Sequence, residues 1–202
     1  MPAILTNLRT TVHVSLLLTI IYLGAYVFSG AIPVNDALWV GIARWTHVVS
    51  GIMWIGLLWY FNFVQIPNMP KIPDDQKPAI GKVIAPAALF WFRWGAAATV
   101  LTGLAVAGLR GYSMEVLSFG LMADVYAPQY SFIGIGMWLA IIMAYNVWFI
   151  IWPNQKIALG MVEADAEAKA KAGRTAMLFS RTNTLLSFPM LIAMTMAQTV
   201  FG

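Results

Sequence analysis

The sequence contains no cysteine and few charged residues. Of its 202 residues, 10% are charged and 60% are hydrophobic, whereas about a quarter of the residues in an ordinary soluble domain are charged. Most of the chain is therefore expected to lie in lipid, which excludes a soluble enzyme. Without cysteine the chain forms no disulfide, thiolate metal site, iron–sulfur cluster or covalently attached c-type haem. A metal or cofactor would have to be held by His, Met, carboxylate or backbone groups.

Five apolar stretches are each long enough to cross a hydrocarbon core, which takes about 20 residues. They cover residues 11–29, 38–64, 84–109, 130–152 and 182–201. We predict an all-α fold in which residues 1–202 form one transmembrane domain of five helices. No small-residue cleavage site follows the first stretch, so we expect a retained helix rather than a signal peptide. No Asp or Glu lies within the five stretches, which argues against a carboxylate-based proton pump or cation-coupled transporter.

Positive charge is concentrated on one side of the predicted helices. The N-terminal tail, the 65–83 loop and the 153–181 loop would share that side, and Lys and Arg are enriched in short cytoplasmic loops. The basic residues there are Arg9, Lys71, Lys77, Lys82, Lys156, Lys169, Lys171, Arg174 and Arg181, whereas Arg44 and Arg110 lie toward the other side. We predict a cytoplasmic N-terminus and an outer C-terminus. Because these residues form no single basic face, no nucleic-acid partner is expected.

Three connecting segments have distinct compositions. Three prolines fall within residues 67–73, so the 65–83 loop is predicted to be an ordered strap rather than a continuous helix. Residues 158–180 pair acidic with basic residues at i,i+4 among strong helix formers, which predicts a short cytoplasmic helix before the last span. The 110–129 segment is expected to lie as a short helix in the outer interface, where it either docks a partner or caps the bundle.

The second stretch carries an ionisable residue, His47, inside a predicted span. Such residues are costly in a membrane and are functional candidates. Arg44, His47, Gly51 and Trp54 are spaced to lie on one helix face. That face would suit haem, with His47 as iron ligand, Gly51 leaving room for the ring and Arg44 meeting the propionates. Alternatively, His47 hydrogen-bonds a neighbouring helix, Gly51 allows close packing and Arg44 reaches the outer headgroups.

A second axial ligand for such a haem can be sought by depth along the helices. His13 enters at the predicted cytoplasmic end of the first helix, whereas His47 lies in the outer half of the second. At ~1.5 Å per residue the two differ in height by on the order of 15 Å. Met137 and Met194 lie at more compatible depths, although most of the twelve methionines are expected to be packing residues. A five-coordinate haem, or different helix starts that bring His13 into play, also remains open.

Arg93 is the second basic residue predicted within a span, and it lies between tryptophans. Snorkelling between these tryptophans, with or without a cation–π contact, is the favoured interpretation, ahead of a quinone, propionate or substrate role. Asn62, Asn146 and Asn183 lie toward the same side. They are expected to form an interhelical polar cluster there, which makes Arg93 and Asn146 candidate contacts for an anion or substrate.

Four segments together resemble the N-terminal membrane domain of the bacterial membrane-bound urate hydroxylases. They are 44–56 (RWTHVVSGIMWIG), 90–103 with FWFRW and LTG, 146–155 (NVWFIIWPNQ) and 180–189 (SRTNTLLSFP). The family's urate-active members have a larger membrane domain, additional histidines and a fused cytochrome c domain. This chain resembles a short stand-alone relative. The resemblance implies a multi-pass protein of the bacterial inner membrane in an electron-transfer context.

Three functions follow from these residues and the resemblance. The first is a redox protein that holds haem b through His47 and passes electrons to a separate cytochrome c or a larger respiratory-type complex. The second is a cofactor-free accessory subunit of a larger membrane complex, with or without oligomerisation of this chain. The third is urate oxidation by the chain itself, with Arg93 and the asparagines orienting an anionic purine at the cytoplasmic side.

Overall fold

The computed structural model describes residues 2–201, with side chains described from residue 4 onward. The chain is 82% helical and its described part contains no strand, which confirms the all-α prediction. After one turn, Pro2–Leu5, the helices are α1 (Leu8–Phe28), α2 (Asp36–Lys71), α3 (Lys77–Leu109), α4 (Ser113–Leu117), α5 (Pro128–Ala158) and α6 (Ala166–Val200). Two compact units result, Met1–Ile42 and Ala43–Gly202. They are treated separately below.

The first unit contains α1, which is capped at its start by Asn7. The Asn7 side-chain oxygen accepts a hydrogen bond from the backbone N–H of Thr10 at 3.3 Å, so one of the orphan donors of the first turn is satisfied. The 21 residues of α1 are apolar enough to cross a membrane. A membrane-spanning first helix is therefore the expected state of this unit.

Four helices are long and apolar enough to span a membrane, namely α1, α2, α3 and α5. The chain is thus a multi-pass membrane protein. The predicted fifth span falls in the C-terminal half of α6, where Asn183, Ser187 and Gln198 lower the hydropathy. The fifth crossing and the N-in, C-out orientation stay predictions. The end of the second unit that carries residues 159–165 is called the inner end here, after that prediction, and the end with residues 110–127 the outer end.

The helix predicted within residues 158–180 is present from residue 166 onward, but it is not a separate element before the last span. It is the first part of α6, which runs without a break for 35 residues from Ala166 to Val200. The Asp165 side chain caps its start by accepting from the Ala168 N–H at 2.7 Å. Since neither Gly nor Pro separates Arg174 from the predicted span, the charged turns and the apolar turns continue as one helix.

Three π-helical segments explain how the inner-end prolines fit within long helices. They are Tyr60–Gln65, Ile80–Ile84 and Asn146–Ile151. Each contains the residue four positions before a proline, namely Phe63 before Pro67, Lys82 before Pro86 and Phe149 before Pro153. A proline ring clashes with the carbonyl at that position and offers it no N–H, so the wider turn relieves the conflict. The predicted 65–83 strap therefore shrinks to residues 72–76 between two helices.

Close packing of α2 on α3 forms the core that positions the candidate site. Trp54 and Phe92 are fully buried, and Gly95 lies so near Trp54 that a Cβ on it would be 3.2 Å from the Trp54 backbone nitrogen. Between α2 and α6, the Trp59 Nε1 donates to the Ser187 Oγ at 3.1 Å. Small residues at helix crossings and polar contacts between helices are typical of packing in membranes.

Candidate functional site

His47 of α2 is anchored to α3 through one ring nitrogen. Its Nδ1 lies 2.9 Å from the carbonyl oxygen of Thr99 and 3.2 Å from the Oγ1 of Thr102. A carbonyl oxygen can only accept, so Nδ1 carries the proton and the Nε2 of a neutral ring carries the lone pair. Within residues 2–201, Nε2 has no hydrogen-bond partner. A histidine fixed by Nδ1 to a carbonyl, with Nε2 free, has the usual arrangement of a metal ligand.

Gly103 makes room for this ring on α3. A Cβ at Gly103 would stand 2.9 Å from His47 Cε1 and 3.3 Å from Nδ1, which is too close for a real side chain. The imidazole therefore rests directly against the α3 backbone, between Thr99 and the next helical turn. Its position is set by contacts with α3 as well as by its own helix.

Beside His47 lies a mostly apolar cavity of about 620 Å³. Its size falls within the range of ligand pockets in proteins. The predicted haem-face residues Arg44, His47, Gly51 and Trp54 all line it, as does Met137 of α5. The structure thus brings together five of the six residues predicted to bind a cofactor. The walls are completed by residues that include Thr99, Gly103, Tyr112, Met190, Met194 and Gln198.

Two hydrogen-bond donors in the wall of this cavity lack acceptors. The Arg44 Nε and the Trp54 Nε1 are enclosed and have no partner within the described residues. An unpaired buried donor costs on the order of 1–3 kcal/mol.

A second cavity of about 270 Å³ adjoins the first toward the outer end. The two share Tyr112, Ile133 and Gln198, and the smaller one adds Arg110 and Gln129 to its wall. The Tyr112 and Tyr130 rings lie 6.3 Å apart across this region. The larger cavity is therefore bordered on its outer side by polar and aromatic side chains.

His13, the sixth predicted cofactor residue, lies in α1 and so in the first unit. Its relation to the cavity stays a prediction. Met137 and Met194, the two methionines that sequence depth favoured as partners of His47, both line the cavity. Met137 belongs to α5 and Met194 to α6, so two helices other than α2 each bring a thioether to the cavity.

Arg93 and Asn146, the predicted anion or substrate contacts, have different partners. The Arg93 Cζ lies 3.2 Å from the centroid of the Trp152 ring, so Arg93 forms a cation–π contact there. The Asn146 Nδ2 donates to the Asn183 Oδ1 at 2.8 Å, whereas Asn62 donates to the Ser180 Oγ at 2.8 Å. The predicted interhelical cluster is therefore two asparagine contacts to α6, and neither includes Arg93.

Sequence reasoning missed Thr99, Thr102 and Gly103, which hold the His47 ring. The sequence does contain a weak indication of them. Two threonines and a glycine at i, i+3 and i+4 place hydrogen-bonding and small groups on one face of an apolar helix. Nothing local to α3 shows that this face meets a histidine more than fifty residues earlier. Among the residues described, no three His, Cys, Asp or Glu side chains converge as a metal site. A haem needs only one or two protein ligands, so that finding does not bear on it.

A comparison with family models identifies the C-terminal half of the chain. The model described as urate oxidase N-terminal matches residues 105–199. Over these residues the chain is similar to the urate oxidase N-terminal family. The resemblance drawn from the sequence is thereby confirmed, and segments 146–155 and 180–189 fall within the match, whereas segment 44–56 with His47 precedes it. No curated protein and no solved structure matches the chain.

Proposed function

We propose that this member of the urate oxidase N-terminal family is a membrane redox protein that binds haem b in the cavity beside His47. The observation that carries the proposal is the His47 ring, whose Nδ1 is held by the Thr99 carbonyl at 2.9 Å while Nε2 stays unbonded. Hydrogen bonding through Nδ1 fixes the tautomer and the ring orientation and raises the basicity of Nε2. A haem b bound there would supply a one-electron iron couple.

The cavity walls fit the two chemical parts of a haem. The apolar residues suit the macrocycle, and Gly51 leaves open space, since a Cβ on it would only touch the Thr99 methyl at 3.9 Å. Arg44 lines the cavity, and its guanidinium suits a propionate carboxylate. Met137 or Met194, which also line the cavity, would offer a thioether to the iron. Arg44 would orient the ring edge, and the apolar walls would exclude water from the metal.

We further propose that the electron partner is a separate cytochrome c or a larger redox complex at the outer end. That end carries Glu115 and Asp124, and Asp124 is exposed. These two carboxylates outnumber Arg110 at that end, and they would steer a basic cytochrome toward it in an encounter that weakens as salt is added.

The decisive experiment is an absorption spectrum of the full chain purified in mild detergent with adequate haem supply, oxidised and dithionite-reduced, together with a pyridine haemochrome assay. We expect stoichiometric haem b in the wild type. The Soret band should disappear in His47→Ala and persist in His13→Ala, the matched control. A colourless wild-type protein would overturn the proposal.

The alternative is a cofactor-free accessory subunit, and one observation favours it. The His47–Thr99 hydrogen bond joins α2 to α3 and so gives the histidine a purely structural role. This function predicts a colourless protein that co-purifies with larger subunits in mild detergent. In that case His47→Ala should lower the thermal stability without changing any visible spectrum.

A further inference from the structure

Two basic side chains of the second unit converge on one tryptophan. The Arg93 Cζ lies 3.2 Å from the centroid of the Trp152 ring, and the Lys156 Nζ lies 5.7 Å from the same centroid. Arg93 comes from α3, whereas Trp152 and Lys156 lie one turn apart on α5. The indole therefore contacts two positive charges that come from different helices.

Neither of these cations is neutralised by a carboxylate. Between residues 4 and 201, the one ion pair is Lys77 with Asp74. The Arg93 Nε and Nη1 are enclosed without a hydrogen-bond partner, whereas Nη2 is neither enclosed nor hydrogen-bonded. Two neighbouring cations without a counterion repel each other, so the pair is expected to attract an anion that can reach Nη2 and the lysine ammonium.

The depth of this pair along the helices indicates where such an anion would be. At ~1.5 Å per residue, Arg93 lies about 24 Å from the outer end of α3 at Leu109, and Trp152 lies about 36 Å from the outer end of α5 at Pro128. A hydrocarbon core is about 30 Å thick. The depths of Arg93 and Trp152 therefore lie on either side of this thickness, at the inner boundary between hydrocarbon and headgroups. Tryptophan and snorkelling basic residues are typical of that level.

We propose that Arg93, Lys156 and Trp152 form a binding site for the phosphate of an anionic phospholipid in the leaflet at the inner end. The Arg93 Nη2 and the Lys156 ammonium would donate to the phosphate oxygens, and Trp152 would hold both cations in place. An anionic lipid is favoured over a zwitterionic one, whose choline would be repelled by the same two charges. The site lies outside the His47 cavity, so it does not depend on haem binding.

The test is native mass spectrometry of the full chain in mild detergent, titrated with phosphatidylglycerol or with phosphatidylcholine of the same acyl chains. We expect tighter binding of phosphatidylglycerol, weakened about fivefold by Arg93→Gln and about fivefold by Lys156→Gln. Arg174→Gln removes an exposed inner-end charge on α6 and serves as the control that should bind as the wild type does. Each folded variant should keep its visible spectrum, and Lys156→Gln and Arg174→Gln should keep the thermal unfolding midpoint.

Three results would overturn the proposal. The first is equal binding of the two lipids by the wild type. The second is a loss in Arg174→Gln as large as in Lys156→Gln, which would show a diffuse charge effect. The third is full displacement of the lipid by millimolar inorganic phosphate, which would assign the site to a free anion. If Arg93→Gln does not fold, lipid binding by the Lys156→Gln variant decides the outcome, since Lys156 is only half-buried.

Discussion

Gly103 and His47 are in direct contact across α3 and α2, since a Cβ on Gly103 would stand 2.9 Å from the imidazole Cε1. The glycine therefore acts on the site through the ring of His47 and touches no ligand itself. Any side chain at residue 103 must move the imidazole away from the Thr99 carbonyl. The position of the His47 ring beside the cavity therefore depends on this contact.

Gly103→Ala is accordingly expected to lower the haem content of the purified protein by about tenfold or more, the range typical of losing a group that orients a metal ligand. Gly56→Ala is the matched control, because residue 56 also lines the cavity but a Cβ there meets nothing within 4 Å. The pyridine haemochrome assay measures both. Full haem content in Gly103→Ala would mean that the ring can shift freely or that His47 is not the ligand.

The Gly103→Ala and Gly56→Ala variants are also expected to differ in thermal stability, a measurement that needs no cofactor. Replacing glycine by alanine within a helix commonly stabilises it by about 0.5–1 kcal/mol. We expect Gly56→Ala to show this gain in stability. Gly103→Ala should not show it, because the alanine side chain has to displace the imidazole. Equal gains in the two variants would contradict the close contact between Gly103 and His47.

The buried pair Asn146 and Asn183 should stabilise the packing of α5 on α6. Asn183 is fully buried, accepts from Asn146 at 2.8 Å and donates to the Met143 carbonyl at 2.9 Å. Asn183→Ala leaves the Asn146 amide unpaired, so we expect a loss of about 1–3 kcal/mol in the free energy of unfolding. Denaturant unfolding in detergent measures it.

A double-mutant cycle isolates the interaction between the two asparagines. Asn146→Ala, Asn183→Ala and the double variant should show a coupling energy of about 0.5–2 kcal/mol. Thr182→Ala is the neighbouring control, since Thr182 is exposed and its hydroxyl bonds only to the Leu178 carbonyl. Strict additivity of the two asparagine variants would rule out a stabilising Asn146–Asn183 bond.

The helical period predicts which residues of α2 share a face, and the structure places all four of Arg44, His47, Gly51 and Trp54 in one cavity wall. That inference needed only one helix. The hydrogen bond to Thr99 could not be predicted, because it depends on how α2 and α3 pack. The bounds of the inner-end helices were missed for a different reason: Pro67 and Pro153 look like breakers by propensity, whereas π turns absorb each of them within a longer helix.

Urate oxidation by the isolated chain is a measurable alternative, and we expect none. That function pairs Arg93 with Asn146 around an anionic purine, but Asn146 bonds to the buried Asn183, and this contact does not include Arg93. The measurement is urate consumption at its ultraviolet absorption by purified protein with an artificial electron acceptor. Turnover that is lost in Arg93→Gln and kept in Arg174→Gln would contradict this expectation and assign the activity to the Trp152 region.

The number of membrane crossings decides on which side of the membrane the C-terminal end of α6 lies. Because the chain has no cysteine, this side can be measured directly with single introduced cysteines. Single cysteines at Val125, Ala168 and Thr199 can each be tested with a membrane-impermeant maleimide in intact cells or oriented vesicles, and all three positions are exposed.

Five crossings with an inner N-terminus predict labelling at Val125→Cys and Thr199→Cys from outside, and at Ala168→Cys only after permeabilisation. If α6 does not cross, residue 199 will label with residue 168. Since Asn183 and Ser187 are fully buried against other helices, their polar groups do not face lipid, and α6 can cross despite its lower hydropathy.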